Sequence, residues 1–181
     1  MEQAQPRRLR HQHEAADGEG AFGARLTEFA GERVVVLHGR RMPSSRGTID
    51  HLAVTPGGVF VIDVKPDGGR VEKRNAGKII RPDMRLYVGG IDRTALLHGV
   101  EDQAEVVRDA LGPAGVVDVP VRGVLCLVGA EWGRFDSPFK LGNVLVTYPR
   151  FLYRLLGKDA KVATSAIQDA ARALAIALPS A

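Results

Sequence analysis

The sequence predicts an α/β domain of the α+β kind: a central mixed β-sheet flanked by helices, with further helices at the carboxyl end. Three observations predict it. Residues 48–54 and 59–65 are rich in β-branched and aromatic side chains, and Thr55-Pro56-Gly57-Gly58 between them carries turn chemistry, so the pair reads as a β-hairpin. The second arm is apolar on both faces from Val59 to Ile62, the pattern of a central strand covered on each side. Apolar residues recur at helical intervals elsewhere, at Phe22, Leu26 and Phe29, at Val100, Ala104, Val107 and Leu111, and at Leu174 and Leu178.

The elements follow in order. Residues 1–15 lack apolar periodicity and are rich in His, Gln and Arg, which reads as a basic arm outside the core; residues 16–181 read as one domain. A first helix begins near Asp17, with Gly31 as a C-terminal cap, and a strand is expected over 33–38. A basic, turn-rich connector, 39–46, holds Arg40, Arg41, Pro43 and Arg46 and leads into the hairpin. Beyond the hairpin, 70–73 and 85–88 read as short strands joined through Gly77 and Pro82. A helix ends at Gly112-Pro113, strands are expected over 122–129 and 143–147, and helices over 150–156 and 164–178.

Composition narrows the function. A chain of 181 residues with 45% hydrophobic and 25% charged residues closes a single core and is neither disordered nor low-complexity. No apolar run approaches the roughly 20 residues needed to span a bilayer, and no apolar stretch follows the basic start, so a cytoplasmic protein without membrane contact is expected. The single cysteine, Cys126, lies in an apolar stretch and reads as a buried thiol. The net charge of +4 is compatible with an anionic partner, but on charge alone an interleaved solvated surface is the preferred reading.

The hairpin gathers chemistry. With Val54 opposite Val59, the antiparallel ladder places Asp50 opposite Asp63, and Lys65 falls on the same face two residues on. Opposed carboxylates destabilise a sheet unless something compensates. Lys65 in an ion pair satisfies one of them; a hard divalent cation such as Mg²⁺, or Mn²⁺ in its place, accounts for both and is the favoured reading. Glu19 falls on the apolar stripe of the first helix and Gln103 borders that of a later one. His51 points to the opposite face of the sheet and reads as a packing histidine, and Trp132 and Tyr87 as core or rim residues.

Taken together, Gly18-Glu19 on a first helix, Ser45-Arg46-Gly47-Thr48-Ile49-Asp50-His51, Gly58-Val59-Phe60-Val61-Ile62-Asp63-Val64-Lys65 and Glu101-Asp102-Gln103 resemble the NERD, or nuclease-related, domain. Gly123 to Trp132 and Leu178-Pro179 extend the resemblance over nearly the whole chain from Asp17 onward. The family belongs to the restriction-endonuclease-like fold, with its acidic residue followed one strand later by Asp/Glu-x-Lys. The resemblance implies Asp50, Asp63 and the carbonyl of Val64 as metal ligands, Lys65 as the catalytic lysine, and Glu19 and Gln103 as further site residues. It departs from the family in the Pro43-Ser44-Ser45-Arg46-Gly47 connector and in Pro66-Asp67-Gly68 after the lysine.

The function expected is Mg²⁺-dependent phosphodiester hydrolysis on nucleic acid, DNA before RNA, with Arg40, Arg41 and Arg46 on flanking phosphates. The alternatives are a non-catalytic nucleic-acid-binding module on the same fold, or a structural domain that binds a protein partner.

Overall fold

The structure, a computed structural model, describes residues 18, 20–43, 46–116, 118–134, 136–158 and 162–181. Its order is α1 (20–27), β1 (Val35–Arg41), β2 (Thr48–Thr55), β3 (Gly58–Asn75), β4 (Met84–Val88), β5 (Ile91–Asp92), α2 (Thr94–Leu111), a 3₁₀ turn (Gly112–Ala114), β6 (Val121–Glu131), β7 (Phe139–Leu141), β8 (Val144–Thr147), α3 (Pro149–Leu156) and α4 (Thr164–Ala177). The sheet is mixed and runs β1-β2-β3-β6-β8-β7, with β4 and β5 branching from the far part of β3. β2 pairs antiparallel with both β1 and β3, β3, β6 and β8 are parallel, and β7 closes antiparallel to β8. The predicted α+β class holds.

Alternation along β2 and β3 divides the core. Leu52, Val54, Val59 and Val61 face α2 and α4, whose stripes supply Ala104, Val107, Leu111, Ile167, Ala170 and Leu174. Ala53, Phe60, Ile62 and Val64 face the other way, onto Phe22 and Leu26 of α1 and Leu152 and Leu156 of α3. This double cover explains why 59–62 is apolar on both faces. A third cluster joins Leu86 and Val88 of β4 to Leu97 and Val100 of α2 and to Leu125 and Leu127 of β6.

The hairpin keeps the predicted register, Val54 to Val59, but its turn is tighter: Thr55 already pairs with Gly58, so the connection is Pro56-Gly57. Gly58 is obligatory there, because its φ is +115° and a Cβ would sit 2.3 Å from the Pro120 carbonyl oxygen.

The strands expected over 70–73 and 85–88 form and pair as a ribbon, the first as the outer part of β3 and the second as β4. Two sequence expectations need correction. The first helix stops at 27, and Gly31 forms a bridge with Val34 instead of a cap. The basic connector begins later than expected, because β1 extends to Arg41. That extension is held from outside: the Arg41 N–H donates to the Pro179 carbonyl and the Ala181 N–H to the Gly39 carbonyl. The arm over 1–15 lies outside the described residues. No helix among the described residues is long and apolar enough to cross a membrane.

Candidate active site

The ladder between β2 and β3 runs from Thr55–Gly58 as far as His51–Ile62 and then opens. Asp50 is the next residue on β2, and Asp63 the next on β3, so both carboxyl groups leave the sheet where the strands part. Asp50 bridges the opening with its side chain, Oδ2 accepting a hydrogen bond from the Val64 N–H at 3.0 Å. That contact gives a backbone donor the partner it would otherwise lack.

Lys65 lies between the two acids. Its Nζ donates to Asp63 Oδ1 at 2.7 Å, stands 3.7 Å from Asp50 Oδ2, and reaches the Val64 carbonyl at 3.3 Å. Asp63 is buried and Lys65 half-buried. Burial is the main influence on Asp63 and pushes its carboxyl up to about 6; Asp50 adds to the rise, while the Lys65 ammonium opposes it. Among the described residues, the two acids and the Lys65 ammonium carry a net negative charge whenever both acids are ionised.

The donor set is two carboxylates and a main-chain carbonyl, all hard oxygens, in the number with which Mg²⁺ or Mn²⁺ is held while retaining waters. No group of three or more His, Cys, Asp and Glu suited to a metal occurs among the described residues; the acidic cluster is the pair Asp50 and Asp63 around Lys65.

The other expected site residues are placed unevenly. Gln103 projects from α2, on the same face of the sheet as Asp50 and Asp63; its Nε2 lies 3.5 Å from the Thr48 carbonyl and its Oε1 is buried without a partner among the described residues. Glu19 lies outside the described residues, and α1 packs on the face opposite the acidic pair. Arg41 and Arg46 are exposed. Arg40 is corrected: it is buried, its guanidinium donates to Ser180 Oγ, and it does not share a surface with the other two. The carboxyl end is the reason: Ser180 bridges to Arg40, and residues 179–181 lie along this part of β1.

Directly behind Asp50 is a pair that sequence reading did not connect. His38 and His51 are cross-strand partners in β1 and β2, with their Nδ1 atoms 2.8 Å apart. The Thr27 hydroxyl donates to the Gly23 carbonyl and so accepts from His38 Nε2, at 3.0 Å. Burial favours neutral rings at both positions, and with His38 neutral its Nδ1 accepts from His51; His51 Nε2 is left buried without a partner among the described residues. Burial pushes His51 down to about 4, helped by His38 and opposed by Asp50. Only the β1–β2 register could have revealed the contact beforehand.

The family model described as the nuclease-related domain, NERD, matches residues 14–128. The match contains Asp50, Asp63, Lys65 and Gln103 and ends within β6. No curated protein and no solved structure matches the chain. With the matched segment spanning most of the sequence, and with an acid on one strand and Asp-x-Lys on the next, the chain belongs to the nuclease-related domain family of the restriction-endonuclease-like superfamily.

Proposed function

We propose that this domain hydrolyses phosphodiester bonds in nucleic acid, with Asp50, Asp63 and the Val64 carbonyl holding Mg²⁺ or Mn²⁺. The observation that carries the reading is the single ammonium shared by two carboxylates, 2.7 Å from Asp63 and 3.7 Å from Asp50, on one face of one hairpin. A fold needs no such arrangement for stability, since a buried acid at Asp63 costs free energy that an apolar residue would not.

When bound, the cation would supply a Lewis acid for the phosphoryl oxygen and lower the pKa of a water. The protein's own part is positional. The Val64 N–H fixes the Asp50 carboxylate, and the ladder fixes Asp63 beside it. Lys65, on a flexible four-carbon stem, would set its ammonium against the charge that develops on phosphate. Gln103 has a buried oxygen without a partner among the described residues, available to orient a water. Arg41 and Arg46 would contact phosphates on either side without reading sequence.

A second reading, a non-hydrolytic nucleic-acid-binding module, is favoured by one feature: Lys65 already pairs closely with the buried Asp63. The experiment that separates the two is incubation of the protein with single- and double-stranded DNA and RNA in Mg²⁺ or Mn²⁺, beside Asp63→Ala and Lys65→Ala. Hydrolysis predicts a loss on the order of 10²-fold or more in each variant. Unchanged cleavage in both variants would remove the site from consideration, and salt-dependent binding without cleavage would establish the module.

A further inference from the structure

We propose that the β3–β4 hairpin is an apolar wedge that enters duplex nucleic acid and unstacks its bases. The tip is a four-residue turn, 78–81, closed by the Arg81 N–H donating to the Lys78 carbonyl at 3.0 Å. Its two central residues are Ile79 and Ile80, 98% and 93% exposed, in positions where small polar residues, Gly or Pro usually serve. They are the most exposed large apolar side chains among the described residues, and no core element approaches them.

The turn is built to hold that shape. Asn75 Oδ1 accepts from both the Gly77 and the Asp83 N–H at 2.9 Å, and the Ala76 N–H donates to the Asp83 carbonyl at 2.7 Å. The shaft is stiffened by Arg74 over the Tyr87 ring, 4.7 Å to its centroid, and by Arg85 bridging Asp83 and Asp92. At its base Gly69, with φ +104°, lies so close to Gly89 that a Cβ would be 2.6 Å from the Gly89 Cα.

Charge identifies the occupant. Residues 68–90 carry six Lys and Arg against two Asp and Glu, an excess equal to the +4 of the entire chain. Arg74 and Arg85 are engaged by the ribbon's own acids, whereas Lys78 and Arg81, which flank the isoleucines, have no ion-pair partner among the described residues. An aliphatic pair between two cations suits insertion at a base step, with the cations on the adjacent phosphates. The same chemistry attracts an anionic bilayer, but two isoleucines bury less hydrocarbon than one acyl chain, whose membrane binding is itself marginal.

Position also favours nucleic acid, and here the inference rests on the proposed function. The ribbon is the outward continuation of the strand that carries Asp63 and Lys65. From Lys65 to Ile79 is fourteen residues, at most about 46 Å of extended chain. One turn of duplex DNA is about 34 Å, so a duplex held at the acidic pair passes within reach of the tip.

The test uses the full chain in EDTA, so that no cleavage occurs, with duplex DNA bearing 2-aminopurine at successive positions. Wild type should raise the fluorescence of a subset of positions. Ile79→Ser/Ile80→Ser, with unchanged circular dichroism because both residues are exposed, should abolish the rise and weaken binding roughly tenfold. Duplex binding without any rise, no duplex binding at low salt, or a variant that unstacks as well as wild type would each overturn the wedge. So would isoleucine-dependent sedimentation with phosphatidylserine vesicles in the absence of unstacking. Cleavage in Mg²⁺ is scored separately: cleavage without unstacking sinks the wedge alone, and unstacking without cleavage supports the wedge while removing the nuclease reading.

Discussion

Asp50 accepts a hydrogen bond from the main-chain N–H of Val64, 3.0 Å away, at the point where the β2–β3 ladder has already ended. A carboxylate proposed to hold a cation thus also completes the sheet, and the two roles separate by substitution. Asp50→Asn retains an oxygen that can accept from Val64, whereas Asp50→Ala leaves that N–H without it. The alanine variant should lose about 1–3 kcal/mol, the asparagine variant less, and both should lose cleavage in Mg²⁺. Urea unfolding at neutral pH in EDTA reads the first difference, and equal stabilities for the two variants would show that the hydrogen bond does not support the fold.

Two buried groups on opposite faces of the sheet respond to pH with opposite sign. Asp63, raised to about 6, favours the fold below the unfolded carboxyl value near 3.8, and that contribution is lost as pH rises through 6. His51, lowered to about 4, favours the fold above its ordinary 6.5, and that contribution is lost as pH falls through 4. Each is worth up to about 3 kcal/mol, so the wild-type curve should be flat between pH 4 and 6.5 with respect to this pair. In EDTA, Asp63→Asn should be more stable than wild type at pH 7.5, its advantage shrinking towards pH 4. His51→Gln should gain on wild type over the same descent. Parallel curves for wild type and both variants would contradict the opposed shifts.

Arg40 and Arg41 are adjacent in sequence and differ in role. Arg41→Ala combined with Arg46→Ala should weaken DNA binding and reduce the slope of log K against log salt by about one for each phosphate that is no longer neutralised. Arg40→Ala should leave that slope unchanged and lower stability by about 1 kcal/mol, since it removes the guanidinium's hydrogen bond to Ser180. Anisotropy titrations across a salt series, with urea unfolding beside them, distinguish the two. A reduced slope for Arg40→Ala would return that residue to the binding surface.

Much of the site was readable from the sequence because it depends on local geometry. The length of one turn sets the hairpin register, and strict alternation then carries Asp50, Asp63 and Lys65 to one face whatever the rest of the chain does. The helices were readable for the same reason, as each stripe obeys a period internal to its own segment. What tertiary structure alone decided involves partners distant in sequence. β1 reaches Arg41, and buries Arg40, because residues 179–181 supply the hydrogen bonds. β3 runs on to Asn75 because β6 pairs with it as far as Arg70, well past Ile62 where β2 leaves, and β4 pairs with it from Val71. Asp50 turns to the Val64 N–H because the strands separate there, and His38 meets His51 because β1 pairs with β2 in one register. A strand's extent and its inward side chains depend on hydrogen-bond partners that local periodicity does not encode.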